Sequence, residues 1–280
     1  MKLTPAAVST LEALATYYYL TPSLVELAGI ATRRTARDKI FPQLLKARPS
    51  TSLVECRRFK KTEGKEHLYA LSKRGVKYLN EVSGIPSDDI SFPKKGIQIS
   101  NHYDHCTAFI AFHIQFLKWL DEVDGRMIKF DRYFGRVPHP EPHRKELICA
   151  TTVYHRDGQI SPDGMVKFET NGNEKLYAIE IHHDKKSGRI IDQLEKHVIA
   201  ANDGAPQARY QHSTHPFVLN IFDQPNVMEN VRKRFYSSPI LNAETQGFLF
   251  NTLEQVKQDI SKGWHYANGE IEPHLFNKKA

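Results

Sequence analysis

The chain has 280 residues, 40% of them hydrophobic and 25% charged, enough apolar material for two ordinary soluble domains. No apolar run approaches the roughly 20 residues that span a bilayer. The first residues lack the apolar stretch and cleavage site of a signal peptide, and the widely spaced Cys56, Cys106 and Cys149 fit neither a disulfide framework nor a zinc knuckle, so a cytoplasmic protein with no membrane partner is expected.

The net charge of +7 is unevenly placed. Residues 1–81 carry 15 Lys plus Arg against 7 Asp plus Glu, whereas the remainder carries 24 against 25. Charge confined to one short segment makes a local field that attracts phosphate.

From the N-terminus, residues 5–19 are predicted to form a helix, with Pro5 in its first turn and Val8, Leu11, Leu14, Ala15 and Tyr18 at helical spacing. Thr21-Pro22-Ser23 opens a short second helix, Gly29 suits a turn that needs positive φ, and Thr32 is placed to cap a third helix. Ala36, Ile40, Leu44 and Leu45 form the inward stripe of that helix, and Arg33, Arg34 and Arg37 stand on its other face. Pro42 removes a helix N–H and is expected to kink or end the third helix. Residues 52–60 and 66–71 read as two strands around a turn at 61–65, and Ser72 starts a closing helix.

Three helices, a strand pair and the segment Leu71-Ser72-Lys73-Arg74-Gly75 resemble a winged helix-turn-helix DNA-binding domain, assigned to residues 1–84. In such a domain Arg33, Arg34 and Arg37 would meet base edges and phosphates in a major groove. Arg57, Arg58, Lys60, Lys61 and Lys65 would place further cations on the wing beside the flanking backbone. Two other readings stay open: a solvated helix face, and a winged helix used as a protein adaptor.

Residues 85–100 are turn-rich and read as a linker. Beyond them come a predicted helix at 106–119, strands at 126–134 and 146–153, and a loop crowded with Pro138, His139, Pro140, Pro142 and His143. A turn enters a strand at 160–168, and a second strand follows at 176–182. A helix at 189–201, a strand at 215–222 and a helix at 226–236 complete an α/β domain assigned to residues 101–240. Residues 241–280 are assigned to a C-terminal helix and tail, with an amphipathic helix at 246–260 and with Trp264, Tyr266 and Phe276 either packing back on the core or binding a partner.

Pro162-Asp163 on one strand and Glu180-Ile181-His182 on the next resemble the PD-(D/E)XK nuclease pattern, with His182 where the lysine usually stands. Together with the N-terminal unit, with His105 near the start of the first helix and with Lys196 on the later one, the order is similar to the replication-relaxation family, which includes plasmid mobilisation proteins of the MobC type. The resemblance implies a mixed sheet flanked by helices and a catalytic set of Asp163, Glu180, His182 and Lys196. Asp163 and Glu180 would hold Mg²⁺, which would polarise a phosphodiester and activate water. It further implies a plasmid or mobile-element DNA-binding protein in replication initiation, relaxation or mobilisation, whose second domain either nicks DNA or serves as a platform. Its expected partners are double-stranded DNA and relaxase or replication proteins, with a homodimer as one assembly.

The residues also allow a non-catalytic reading. Pro-Asp-Gly is a common turn, Glu180 and Asp184 could pair at the surface with Lys185, Lys186 or Arg189, and imidazole does not replace a permanently charged ammonium. The alternative function is then a winged-helix transcriptional regulator with a sensor or dimerisation domain. His182, His183 and His197, like His139 and His143, read as structural or surface histidines rather than transition-metal ligands, because 182 and 183 point to opposite faces of a strand.

Overall fold

Thr4, Thr21, Thr32 and Ser72 each accept a backbone N–H from the third residue on, and each starts a helix: α1 (Pro5–Tyr17), α2 (Pro22–Leu27), α3 (Arg33–Thr35) and α5 (Lys73–Ser83). This computed structural model describes residues 3–45, 51–87, 90–94, 96–97, 102–141, 143–183, 186–272 and 275–276. The chain divides into two compact units, Met1–Ile114 and Gln115–Ala280, and the division falls inside α6 (Tyr103–Glu122). Most of the segment at 85–100 that reads as a linker lies in irregular backbone, and residues 88, 89, 95 and 98–100 are outside the described set.

In the first unit, Gly29 has the expected positive φ (79°) between α2 and α3. The third helix differs from expectation at Pro42. It runs from α3 through a π turn (Ala36–Ile40) into α4 (Phe41–Leu44) without a break. The Phe41 N–H reaches back five residues to the Ala36 carbonyl, so the widened turn sits immediately before the proline and absorbs its missing donor. Ala36, Ile40 and Leu44 are buried as predicted, and Phe41 is buried with them, its ring stacked 3.6 Å from that of Tyr69. β1 (Val54–Arg57) and β2 (Leu68–Leu71) form an antiparallel hairpin in the register Val54↔Leu71. Gly75 on α5 packs so closely that an added Cβ would lie 2.1 Å from the Leu53 carbonyl oxygen. That contact explains the glycine in the Ser-Lys-Arg-Gly segment.

The second unit is α/β. Its five-stranded mixed sheet has the order β11-β10-β9-β8-β3. β3 (Arg126–Arg132), β8 (Gly164–Thr170) and β9 (Asn173–His182) are antiparallel neighbours. β10 (Phe217–Phe222) and β11 (Phe248–Thr252) continue the sheet in parallel with β9. Parallel pairing needs a long crossover, supplied here by α7 (Ser187–Asn202) and α8 (Ala205–Tyr210). One sheet face, with Met165, Ala178, Val218 and Phe250, packs on Ile190, Leu194 and Val198 of α7 and on Val231 and Phe235 of α9 (Pro225–Phe235). The other face carries Phe168 and Tyr177 in edge contact with Phe116, Trp119 and Phe276, so the tail aromatic packs back on the core.

Two sequence expectations are corrected. Residues 146–153 are not one strand: β5 (Leu147–Cys149) pairs with β4 (Arg136–Pro138), while β6 (Val153–His155) pairs with β7 (Gly158–Ile160). The chain turns between them, where the Ala150 N–H donates to Gly135 and the Thr151 hydroxyl to the Pro162 carbonyl. Residues 246–260 are not one helix either. The run 248–252 is the edge strand β11, and only α11 (Leu253–Gln258) is helical. Short apolar runs fit either state by pattern alone; here the buried Phe248, Leu249, Phe250 and Asn251 alternate across a sheet covered on both faces.

Candidate functional site

The antiparallel register Gly164↔Ile179 sets Asp163, just before β8, beside the Glu180–Ile181 step of β9. Asp163 Oδ2 accepts the Ile181 N–H at 2.7 Å, and its backbone carbonyl accepts the Tyr133 N–H at 2.9 Å. The Pro-Asp turn is thus tied to β9 and to the chain leaving β3. The parallel register on the other side of β9 places Asn220 next to Glu180 and Phe222 next to His182.

Glu180 is 1% exposed and faces α7, not solvent. Gln193 Nε2 donates to its Oε2 at 2.6 Å, and His197 Nε2 lies 2.5 Å from its Oε1. Gln193 and His197 are four residues apart, so they share one face of the helix. Burial pushes His197 down to about 4, against the opposing pull of Asp163. The ring is therefore neutral at neutral pH, and its Nε2 proton is donated to the Glu180 carboxylate.

His182 is also buried, at 6% exposure. Its Nε2 lies 3.1 Å from Asn220 Oδ1, and its ring lies 4.6 Å from that of Phe222. Asn220 Nδ2 donates to the carbonyls of Val218 and Leu249, which fixes the amide orientation and leaves Oδ1 as the acceptor. His182 therefore carries its proton on Nε2.

The structure brings Asp163 and Glu180 to adjacent strands and joins His182 to their row through Asn220. It does not place Lys196 with them. Lys196 is exposed on α7, one residue and about 100° around the helix from His197. The side chains that reach Glu180 from this helix are Gln193 and His197. Glu180 is buried and not at the surface, and of the cations considered as its partners Lys185, like Asp184, lies outside the described set. Asn220 escaped the sequence reading, and the Gln-x-x-x-His spacing on the helix following the Glu180 strand was the available signal for His197.

The arrangement is a poor fit to Mg²⁺. This ion takes oxygen ligands at about 2.0–2.1 Å in octahedral geometry and usually keeps several waters. Each Glu180 oxygen and one Asp163 oxygen accept a hydrogen bond, and Glu180 is only 1% exposed, which disfavours a hydrated ion beside it. Among the described residues, no group of three or more His, Cys, Asp or Glu side chains is arranged to hold a metal. His139 is buried and hydrogen-bonded to the Tyr154 hydroxyl at 3.0 Å, and exposed His143 pairs with Glu141 at 3.3 Å.

In the first unit Arg33, Arg34 and Arg37 have side chains 58%, 88% and 61% exposed at the start of the third helix. Each meets a carboxylate: Arg33 with Glu66 at 2.6 Å, Arg37 with Asp38 at 2.7 Å, and Arg34 with Asp38 at a looser 3.7 Å. Glu66 also accepts the Ser23 N–H, and these bonds hold its carboxyl below the usual range despite burial. On the hairpin, Arg58 and Lys60 are exposed. Arg57 and Lys65 instead lie half-buried over Phe59, with Lys65 also 5.4 Å from the Tyr103 ring. Lys61 begins the turn between the strands, and its side chain is outside the described set.

No helix among the described residues is long and apolar enough to cross a membrane. Comparisons with protein families, with characterised proteins and with solved structures find no match.

Proposed function

We propose that this chain is a duplex-DNA-binding protein of the replication-relaxation type, with a winged helix-turn-helix unit at its N-terminus and a PD-(D/E)XK-like domain that serves as an assembly platform. The observation that carries the DNA-binding reading is the row of exposed arginines at the first turn of the third helix. Supporting it are the capped start at Thr32, the hairpin that follows and the concentration of positive charge in residues 1–81. The mixed sheet flanked by helices, with a Pro-Asp turn and a Glu on adjacent strands, supports kinship with the nuclease fold. The occupied oxygens of Asp163 and Glu180 favour a platform over a nickase.

On this reading the winged helix would deliver the protein to a site near a replication or transfer origin. The second unit would then present a surface to relaxase or replication proteins. Fluorescence anisotropy with a labelled duplex over a salt series tests it. Log affinity should fall with log salt at about −0.9 per phosphate contact. Replacing Arg33, Arg34 and Arg37 together by Ala should weaken binding at least about tenfold, as loss of more than one charged contact requires. Binding unaffected by the triple substitution would overturn the proposal and favour a protein adaptor.

A further inference from the structure

A cavity of about 380 Å³ opens in the second unit between the last turns of α7, the start of β10 and the segment leading into β11. Its size falls within the roughly 300–1,000 Å³ of small-molecule sites. The floor is apolar and buried, with Val198 5%, Val218 3% and Phe248 3% exposed. Phe217, at the start of β10, borders the cavity, but its ring stands on the opposite sheet face, 5.8 Å from that of Tyr177.

The charge of the lining is unlike that of the whole chain. Among the described lining residues there is no Lys or Arg, in a protein with 39 of them, and the one carboxylate is Glu244. Glu244 makes no ion pair among the described residues. A phosphate or carboxylate ligand would find no counter-charge here, whereas a cation would meet Glu244 beside an apolar floor.

We infer that this cavity binds a small organic cation built on one aromatic ring, with the ring on the apolar floor of Val198, Val218 and Phe248 and the charged group at Glu244. His197 lines the same cavity while its Nε2 holds Glu180, so a ligand seated there rests against the ring that ties α7 to β9. The inference stands independently of DNA binding, and it supplies the second unit with an effector site.

The test uses the full-length protein, with benzamidine as the cationic probe, benzyl alcohol as the neutral one and benzoate as the anion. Binding is followed by ligand-observed NMR and by the ring signals of His197 at about pH 8. Benzamidine should bind saturably and about tenfold more tightly than benzoate, the difference that one charge-assisted contact provides. Glu244→Gln should remove that preference and leave the melting temperature unchanged, and Ala201→Phe, which fills part of the cavity, should weaken benzamidine and benzyl alcohol alike. Equal or tighter binding of benzoate would overturn the inference. So would benzamidine binding that neither substitution alters, or no saturation at millimolar probe.

Discussion

Glu180 of β9 and His197 of α7 meet at 2.5 Å in the interior of the second unit, with side chains 2% and 4% exposed. Removing Glu180 leaves the Gln193 and His197 donors buried without an acceptor, at a cost of about 1–3 kcal/mol for each. Glu180→Ala is expected to lower stability by that amount. Glu180→Gln keeps the volume but adds amide hydrogens next to two donors, and about 1–3 kcal/mol is expected. Urea unfolding of the three proteins measures both; an alanine variant within about 0.5 kcal/mol of the parent would show that the pair contributes little.

The same pair sets a pH dependence. In the unfolded chain His197 titrates near 6.5, and in the folded chain burial holds it down to about 4. Below 6.5 the unfolded state therefore binds the extra proton, and stability falls as pH drops towards 4, by on the order of 3 kcal/mol in all. Above pH 6.5 this group contributes no slope. His197→Gln should flatten the decline between about pH 6.5 and 4 by close to one proton in the linkage plot. An unchanged slope would mean that His197 is not the group responsible.

For DNA binding, the carboxylates beside the arginines predict unequal effects. Arg34 is the most exposed and the most loosely paired, so Arg34→Ala should weaken duplex binding and reduce the salt slope by about 0.9. Asp38 is held well below the usual carboxylate range by its hydrogen bond to Arg37, and it also faces Arg34. Asp38→Asn releases both arginines and should strengthen duplex binding at low salt, an effect that shrinks as salt rises. A weakened complex would show instead that Asp38 orients the arginines.

Magnesium provides a further check. With Glu180 enclosed and Asp163 bonded to the Ile181 N–H, millimolar Mg²⁺ should leave the melting temperature unchanged, and supercoiled plasmid should remain intact. Nicking by the parent protein that disappears in Asp163→Asn would restore the catalytic reading. The prediction separates the two because Asp163 is half-buried at a turn and its substitution need not unfold the sheet.

Gly75 offers a test confined to the first unit. An added Cβ would sit 2.1 Å from the Leu53 carbonyl oxygen, a backbone atom held by β1 and its neighbours. Gly75→Ala should destabilise the unit by roughly 1–3 kcal/mol or more, despite alanine's better helix propensity. Stabilisation would mean that α5 can move away from the hairpin without loss.

Local chemistry made much of this legible in the sequence. Thr32 caps the third helix as expected, the helices at Thr21 and Ser72 start where the sequence places them, and Gly29 turns where positive φ is needed, because caps and turns depend on residues a few positions apart. The run Phe248–Thr252 was misread because its strand character depends on β10, 30 residues earlier in the register. Pro42 reads as a kink or an end because the π turn that accommodates it has no sequence marker. At the site, Asp163 and Glu180 were found by their motif. Their partners were not: Lys196 and His197 are adjacent in sequence, and only the docking of α7 decides which faces inward.

That docking gives the buried carboxylate a role in choosing between alternative packings. A one-residue slip of β9 would turn Glu180 to the opposite face, among the rings of Phe116, Trp119 and Phe168 and away from Gln193 and His197. A shift of α7 by a single residue would rotate Gln193 and His197 away together. Apolar contacts tolerate such errors by repacking, but a dry carboxylate does not. Glu180 therefore acts as a register pin, penalising misthreaded versions of the sheet more than it strengthens the correct one.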